Sequence, residues 1–268
     1  MARASSCQRI TRPRRALPPL QLEWTGPGGV RPVPTRTIRG FHRADNRSVG
    51  ELDPVLANYP GCQGQPFDFS DQMHRLCADI VSRCELLHHV RMERILIGVT
   101  QARSSRVHGL QARITPLRMP GGGVTRRKRG HLYQVQRCWL DGTELLYLMS
   151  FCLPRFQDQS FDEKFVTIFH ELYHIAPSFD GDLRRHEGRC TIHTRSQKGY
   201  DRLMAELARE YLAGRPDPAL FAFLRLSFAQ LQRWHGSVRG YAIPAPKLVP
   251  LPTPLARGAS IRDASPAW

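Results

Sequence analysis

Two histidines and one glutamate in the segment FVTIFHELYHI, residues 165–175, have the types and spacing needed to bind a metal ion. His170 and His174 lie four residues apart, so on a helix they share one face about one turn apart. That spacing lets two imidazoles bind one zinc ion from the same side. Glu171 points away from that axis, where its carboxylate can contact a zinc-bound water instead of the ion. The alternative interpretation is a hydrogen-bonded histidine pair within a core.

This chemistry requires a helix, and the sequence around the three residues predicts one. Ser160 and Glu163 fit a capping box, and Pro177 prevents the helix from continuing. One apolar stripe at spacings of three and four runs through the segment and consists of Phe165, Ile168, Phe169, Leu172 and Ile175. The sequence therefore places His170, Glu171 and His174 on a capped amphipathic helix at a pocket wall.

The neighbouring segments predict the elements that surround this helix. An earlier helix is predicted from DFSDQMHRLCADIVSRCELLHHV, and later helices from YDRLMAELAREYLAG and PALFAFLRLSFAQLQRW. Strands are predicted from RILIGVTQA, LQARITPL, HLYQVQRCWL and ELLYLMSFCL. The last two flank Asp141-Gly142, a dipeptide that favours a tight hairpin turn. The predicted fold class is α+β, with a small, mostly antiparallel sheet packed on the histidine helix in a domain over residues 66–242.

Both ends of the chain have a different composition. Residues 1–65 alternate Arg with Pro and Gly and show neither helical nor strand periodicity, which predicts a disordered basic arm. Residues 243–268 are rich in Pro and Ala, which predicts an extended tail.

Composition excludes several classes of protein. The seven cysteines are odd in number and contain no CxxC pair, which argues against a disulfide framework and against a four-cysteine zinc site. No window approaches 18 consecutive apolar residues, and the N-terminal segment lacks the apolar core of a secretory signal. We therefore expect a cytoplasmic protein without a membrane partner. The net charge of +16 would draw the chain to nucleic acid or other polyanions, whether or not it evolved to bind them.

The segment FHELYHI after a predicted strand resembles the HExxH motif of the zincin metallopeptidases. Over residues 66–240 the chain resembles bacterial and phage metallopeptidases and, more distantly, the SprT-like group. The resemblance implies a zincin-like domain with zinc as cofactor, His170 and His174 as ligands, and Glu171 as the general base of peptide-bond hydrolysis. It also implies that an edge strand, for which ELLYLMSFCLP is the candidate, pairs with a protein or peptide substrate.

Three residues are candidates for the third zinc ligand under this resemblance. Asp180 lies six residues after His174, as in metzincins, and His186 lies twelve after it, which approaches SprT-like spacing. His193 lies nineteen after it, near thermolysin-like spacing, just before a predicted helix. We predict His193, with His186 and Asp180 as alternatives.

Other residues of the same segment have candidate roles beside the ligands. If His193 is the third ligand, the loop after Pro177 must arch over the helix end, with Asp180 or Asp182 facing the histidines. The alternative role of these two aspartates is turn formation, which the composition of FDGD favours. The side chains that could stabilise an oxyanion, or simply lie on the surface, are Arg184, Arg185, Arg189 and Tyr200.

The segment PGGGVTRRKRGH carries a second function hypothesis. Three glycines precede Arg126, Arg127, Lys128 and Arg129 between two predicted strands, which predicts a mobile basic hairpin tip. Such a tip is either a solvated loop or a contact for nucleic-acid phosphates, although the cluster itself contains no aromatic residue that could stack on a base. The alternative function is accordingly a nucleic-acid-associated binding protein with a degenerate or structural zincin core.

Overall fold

A computed structural model describes residues 20–24, 29–41, 56, 59–106, 109–185 and 197–251. The helices are α1 (Phe69–Arg83), α2 (Phe161–Tyr173), α3 (Gln197–Ala213), α4 (Pro218–Phe221) and α5 (Phe228–His235). The strands are β1 (Gln21–Trp24), β2 (Gly29–Pro32), β3 (Thr35–Ile38), β4 (Phe67–Asp68), β5 (Ile95–Gln101), β6 (Ala112–Pro116), β7 (Thr125–Lys128), β8 (His131–Val135), β9 (Cys138–Leu140), β10 (Thr143–Glu144), β11 (Tyr147–Leu153), β12 (Val238–Tyr241) and β13 (Leu248–Pro250). The chain is a mixed α+β fold, as the sequence predicts.

The described strands form four small sheets. Their strand orders are β10-β9-β1-β2, β5-β11-β6, β3-β12-β4 and β13-β8-β7. Most neighbouring pairs are antiparallel, and the exceptions are β5 with β11 and β4 with β12. The expected single group of four strands is therefore divided among separate sheets, because HLYQVQRCWL breaks into β8 and β9, and ELLYLMSFCL breaks into β10 and β11.

The β5-β11-β6 sheet and the helices share the main hydrophobic core. Side chains of β5 and β11 pack with the apolar stripes of α1 and α2, including Met73, Ile80, Phe165 and Phe169. Six of the seven residues of β11 are buried, which is the pattern of a strand with neighbours on both sides. This core fixes α2 beside β6.

The prediction of a disordered arm over residues 1–65 is wrong for the part of it that the structure describes. β1 pairs with β9, and β3 pairs with β12. Both strands therefore belong to sheets whose other strands include residues after position 65. Leu22 and Ile38 are each only 1% exposed. These strands escape detection because they are four residues long, lie among Pro and Gly, and find their partners far along the chain. Residues 1–19 and 42–55 lie outside the described residues.

The C-terminal tail also joins a sheet in its first part. β13 pairs with β8, so Leu248–Pro250 are extended but not free. Residues 252–268 of the predicted tail lie outside the described part of the chain. The Asp141-Gly142 prediction is confirmed, because Thr143 pairs with Leu140 across that two-residue turn and both turn residues have positive φ.

The described cysteines are free thiols, and Cys77, Cys138 and Cys152 are buried. Burial raises the pKa of the Cys77 and Cys138 thiols to about 12. In the described residues, no helix combines the length and the apolar character that crossing a membrane requires.

Candidate metal centre

Helix α2 begins and ends where the sequence predicts. The Ser160 hydroxyl accepts a bond from the Glu163 N–H, and the Glu163 carboxylate accepts one from the Ser160 N–H at 2.9 Å, so the capping box is complete. Buried Lys164 donates from Nζ to the carbonyls of Leu224 and Leu226 at 2.8 and 2.9 Å. The first turn of α2 is thereby held against the segment that follows α4.

The two histidines of the motif meet at the C-terminal end of this helix. The Nε2 atoms of His170 and His174 are 2.9 Å apart, and the ring planes are nearly perpendicular, at 86°. His174 is buried and His170 is half-buried. The i, i+4 spacing therefore brings both ring nitrogens to one point beside the helix.

This donor pair fits a zinc ion closely, although it also fits a direct hydrogen bond. A separation of 2.9 Å suits an N–H···N bond between the two imidazoles. Two ligands at about 2.0–2.1 Å from one tetrahedral zinc lie roughly 3.3 Å apart, so only a small displacement of the rings separates the two states. The nitrogen donors are of the type that zinc prefers, and they lie beside a carboxylate.

Glu171 lies next to this pair with its carboxylate buried against strand β6. Its Oε2 atom accepts a 2.7 Å hydrogen bond from the backbone N–H of Ile114. Burial raises the pKa of the Glu171 carboxyl to about 7, because the protein interior disfavours the charged form. The Ile114 N–H and the positive charge of Arg113 oppose that shift and lower the pKa. A carboxyl group in this range can both accept and return a proton near neutral pH.

The strand beside the histidine helix is β6, and not the strand that the sequence favours for this position. ELLYLMSFCLP contains β11, which is the central strand between β5 and β6. Among the described strands, β6 pairs only with β11, so its other side is a free edge. The expected edge strand is therefore corrected from β11 to β6, and the near-continuous apolar run of β11 is the signal for a central strand.

A cleft of about 590 Å³ lies between the free edge of β6 and helix α2. His170, Glu171 and His174 form part of its wall, together with residues 109–114 and with Asp201 of α3. Val166 and Thr167, which lie one turn before His170 on α2, also line it. The candidate metal ligands therefore face a space that is open to a substrate.

The loop after α2 returns to the end of the helix at Leu183 and Arg184. Ile175 forms a β-bridge with Leu183, and the Arg184 N–H donates to the His174 carbonyl at 2.7 Å. Gly181 has φ of +89°, and a Cβ at this position would lie 2.4 Å from the Arg118 side chain, so the tight turn requires glycine.

The aspartates of this loop stabilise the loop itself. The Asp182 carboxylate accepts a 2.8 Å bond from the Gly121 N–H and forms an ion pair with Arg185. The Asp180 Oδ1 atom accepts a bond from the Asp182 N–H at 3.0 Å. Both carboxylates thus take part in the turn, which is the role that the composition of FDGD favours, and their facing the ligand histidines stays a prediction tied to His193.

The third ligand remains a prediction. Within the described part of the chain, no third His, Cys, Asp or Glu gathers with His170 and His174 into a metal-binding group. Asp180, which is among the described residues, is accordingly not grouped with the two histidines. His193 and the alternative His186 both lie in residues 186–196, outside the described residues.

The structure distinguishes among the candidate oxyanion residues. The Tyr200 ring lies 4.9 Å from the His170 ring and stacks on the His174 ring at 5.9 Å, with both distances between centroids. Arg184 instead lies over the Tyr173 ring at 4.0 Å, and Arg185 pairs with Asp182. Arg189 lies outside the described residues. Tyr200 is thus the candidate that contacts both histidine rings.

Sequence reasoning missed the contribution of β6. The Ile114 N–H, the charge of Arg113 and the helix residue Asp201 belong to no motif, and strand order is not visible in a local pattern. The alternation of apolar and polar residues in LQARITPL was the available signal for this strand. It agrees with the structure, in which Ala112 and Ile114 are buried and Arg113 between them is exposed.

Comparisons of the chain with protein-family models, with curated proteins and with solved structures found no match.

Proposed function

We propose that this chain is a zinc-dependent metallopeptidase with a zincin-like domain, in which His170 and His174 hold the ion. His193 is the proposed third ligand. The observation that carries the proposal is the meeting of the two Nε2 atoms at 2.9 Å, beside the buried carboxylate of Glu171, on the wall of an open cleft. A bound zinc ion would supply a Lewis acid that polarises the scissile carbonyl and makes water acidic enough to lose a proton near neutral pH.

Glu171 is the proposed general base. Its carboxylate takes the proton of the attacking water and later returns it to the leaving nitrogen of the peptide bond. In the metal-free protein burial raises the pKa of this carboxyl to about 7, and the positive charge of a bound zinc ion would oppose that rise. The Ile114 N–H holds the carboxylate at the cleft wall.

The free edge of β6 is the proposed binding site for the substrate backbone. In an antiparallel ladder, the N–H and C=O groups of one residue point to the same side, and successive residues alternate. The Gln111 carbonyl and the Leu117 N–H point to the β11 side, whereas the Ile114 N–H points to Glu171. The backbone groups of Ala112 and the carbonyl of Ile114 therefore point outward, where an extended peptide can add as a further strand, while the Ile114 N–H stays bonded to Glu171.

Two substitutions test the peptidase. Glu171→Gln should keep the zinc and lose hydrolysis of a fluorescently labelled unfolded protein, whereas His170→Ala should lose both. Glu206→Gln and His88→Ala are matched controls, because both side chains are exposed and lie outside the cleft lining. Hydrolysis that survives Glu171→Gln would refute this role for the carboxylate.

A second candidate function is binding of nucleic acid, with the zincin core serving only as a scaffold. The supporting observation is the register of the β7–β8 hairpin, in which Arg126 lies opposite Tyr133 and Lys128 lies opposite His131. Directly opposed residues share one face, so this face combines the cationic side chains of Arg126 and Lys128 with the rings of Tyr133 and His131. The aromatic residue that the basic segment lacks is thus supplied by the neighbouring strand. The turn between the strands is Arg129-Gly130, so the basic residues lie mostly in β7 and not in a loop.

Binding of a fluorescent single-stranded oligonucleotide tests this second candidate. The affinity should fall steeply with salt, and each phosphate contact removed should reduce the slope of log K against log salt by about 0.7. Arg126→Gln with Lys128→Gln should weaken binding, whereas Arg202→Gln with Arg209→Gln, at exposed positions of α3, should not. An affinity that neither added salt nor the hairpin substitutions reduce would count against nucleic-acid binding through this hairpin.

A further inference from the structure

Two charged residues line the cleft from opposite walls. Arg113 lies on the free-edge strand β6, and Asp201 lies on helix α3, directly after Tyr200. Both side chains are exposed. Within the described residues neither side chain takes part in an ion pair, although the chain has such pairs elsewhere.

Arg113 belongs to the same site as the proposed general base. It lines the cleft together with Glu171, and it directly precedes Ile114, whose N–H is bonded to the Glu171 carboxylate. Side chains alternate along a strand, and Ile114 packs in the core with Ala112. Arg113 therefore extends from the opposite face of β6, next to the edge where a peptide would add.

An extended peptide on this edge would present alternate side chains to the two walls. A residue paired directly with Arg113 has its side chain on the same face as the guanidinium. The residues before and after it point to the other face, on the side where Ala112 and Ile114 pack with the helices, and Asp201 lines the cleft from a helix. The two walls thus differ in the charge that they favour.

We infer that the cleft selects extended segments by charge, with an acidic side chain on the Arg113 side and a basic one on the Asp201 side. This inference rests on the proposed function, since it concerns the substrate of the same cleft. Opposed charges across a pair of strands favour the matching peptide by roughly two- to fivefold over a neutral one. Because Arg113 and Asp201 favour side chains on opposite faces, the preferred acidic and basic positions are separated by an odd number of residues.

The test is a set of fluorogenic peptides in which each position in turn is Glu, Gln or Lys. The expected result is one position that prefers Glu and another, an odd number of residues away, that prefers Lys. Arg113→Glu should reverse the first preference alone, and Asp201→Lys should reverse the second alone. Each comparison is a ratio of kcat/KM values within one variant, so effects on the shared catalytic machinery cancel. An absence of preference, or preferences that both variants leave unchanged, would overturn the inference.

A binding experiment separates failure of this inference from failure of the proposed peptidase. The same peptides, labelled, are titrated by fluorescence anisotropy against Glu171→Gln, which should leave them uncleaved, and against the double variant that also carries Arg113→Glu. If no peptide is hydrolysed but Arg113→Glu still reverses the charge preference in binding, the cleft selects by charge and the peptidase proposal fails. If peptides are hydrolysed and binding shows no charge preference, the peptidase proposal stands and the inference fails.

Discussion

The carboxylate of Glu171 is bonded to the backbone N–H of Ile114 at 2.7 Å, which joins the histidine helix to the edge strand of the neighbouring sheet. This bond connects the proposed general base with the proposed substrate-binding edge. It also orients the carboxylate, whose burial disfavours the charged form.

Ile114→Pro removes this N–H, and it spares the β6–β11 ladder because the N–H points away from β11. We expect kcat to fall by roughly tenfold to a hundredfold, since a displaced general base loses its orientation, with zinc content unchanged. Ile114→Ala is the control, because it removes the side chain and keeps the N–H. Equal loss of activity in the two variants would mean that packing, and not the hydrogen bond, matters.

The pKa of Glu171 predicts a pH-dependent stability of the metal-free protein. The folded-state pKa of about 7 lies above the usual value of 4.5, so between these values the folded state binds more protons. Stability should therefore fall as the pH rises from about 4.5 to 7, by up to about 3 kcal/mol. Chemical denaturation of EDTA-treated protein at several pH values measures this change. Glu171→Gln should remove most of the pH dependence, and an unchanged slope would contradict the assignment.

The buried Lys164 gives a prediction about stability alone. Lys164→Met leaves the Leu224 carbonyl without its lysine donor, which should lower the free energy of unfolding by about 1–3 kcal/mol. Burial lowers the pKa of Lys164 to about 8, so from pH 8 to about 10 the unfolded state binds more protons. Wild-type stability should accordingly rise with pH in that range relative to the variant. A change in zinc content instead would place Lys164 in the metal site.

Features that depend on the local spacing of residues were predicted from the sequence. The apolar stripe and capping box of α2 gave its bounds, and the i, i+4 spacing gave the approach of His170 to His174. Contacts between segments that are distant in the chain were not predicted, because local spacing carries no information about them. β3 pairs with β12 some 200 residues later, and an exposed four-residue strand carries little pattern by itself.

The edge position of β6 is a second case of the same kind. Which strand borders the histidine helix depends on the order of strands in the sheet, and two short apolar segments do not specify that order. The composition of FDGD predicted a turn at Asp180 and Asp182, but the bond from the Gly121 N–H to Asp182 was not predicted, because Gly121 lies 61 residues earlier in the chain.

The metal content of the purified protein is the most direct test of the central claim. Elemental analysis of wild-type protein should find one zinc ion per chain, and Glu171→Gln should retain it. His170→Ala and His174→Ala should each lose it, because two remaining ligands hold zinc poorly. Wild-type protein without stoichiometric zinc, or His170→Ala protein that keeps it, would show that the 2.9 Å contact is a hydrogen-bonded histidine pair and not a metal site.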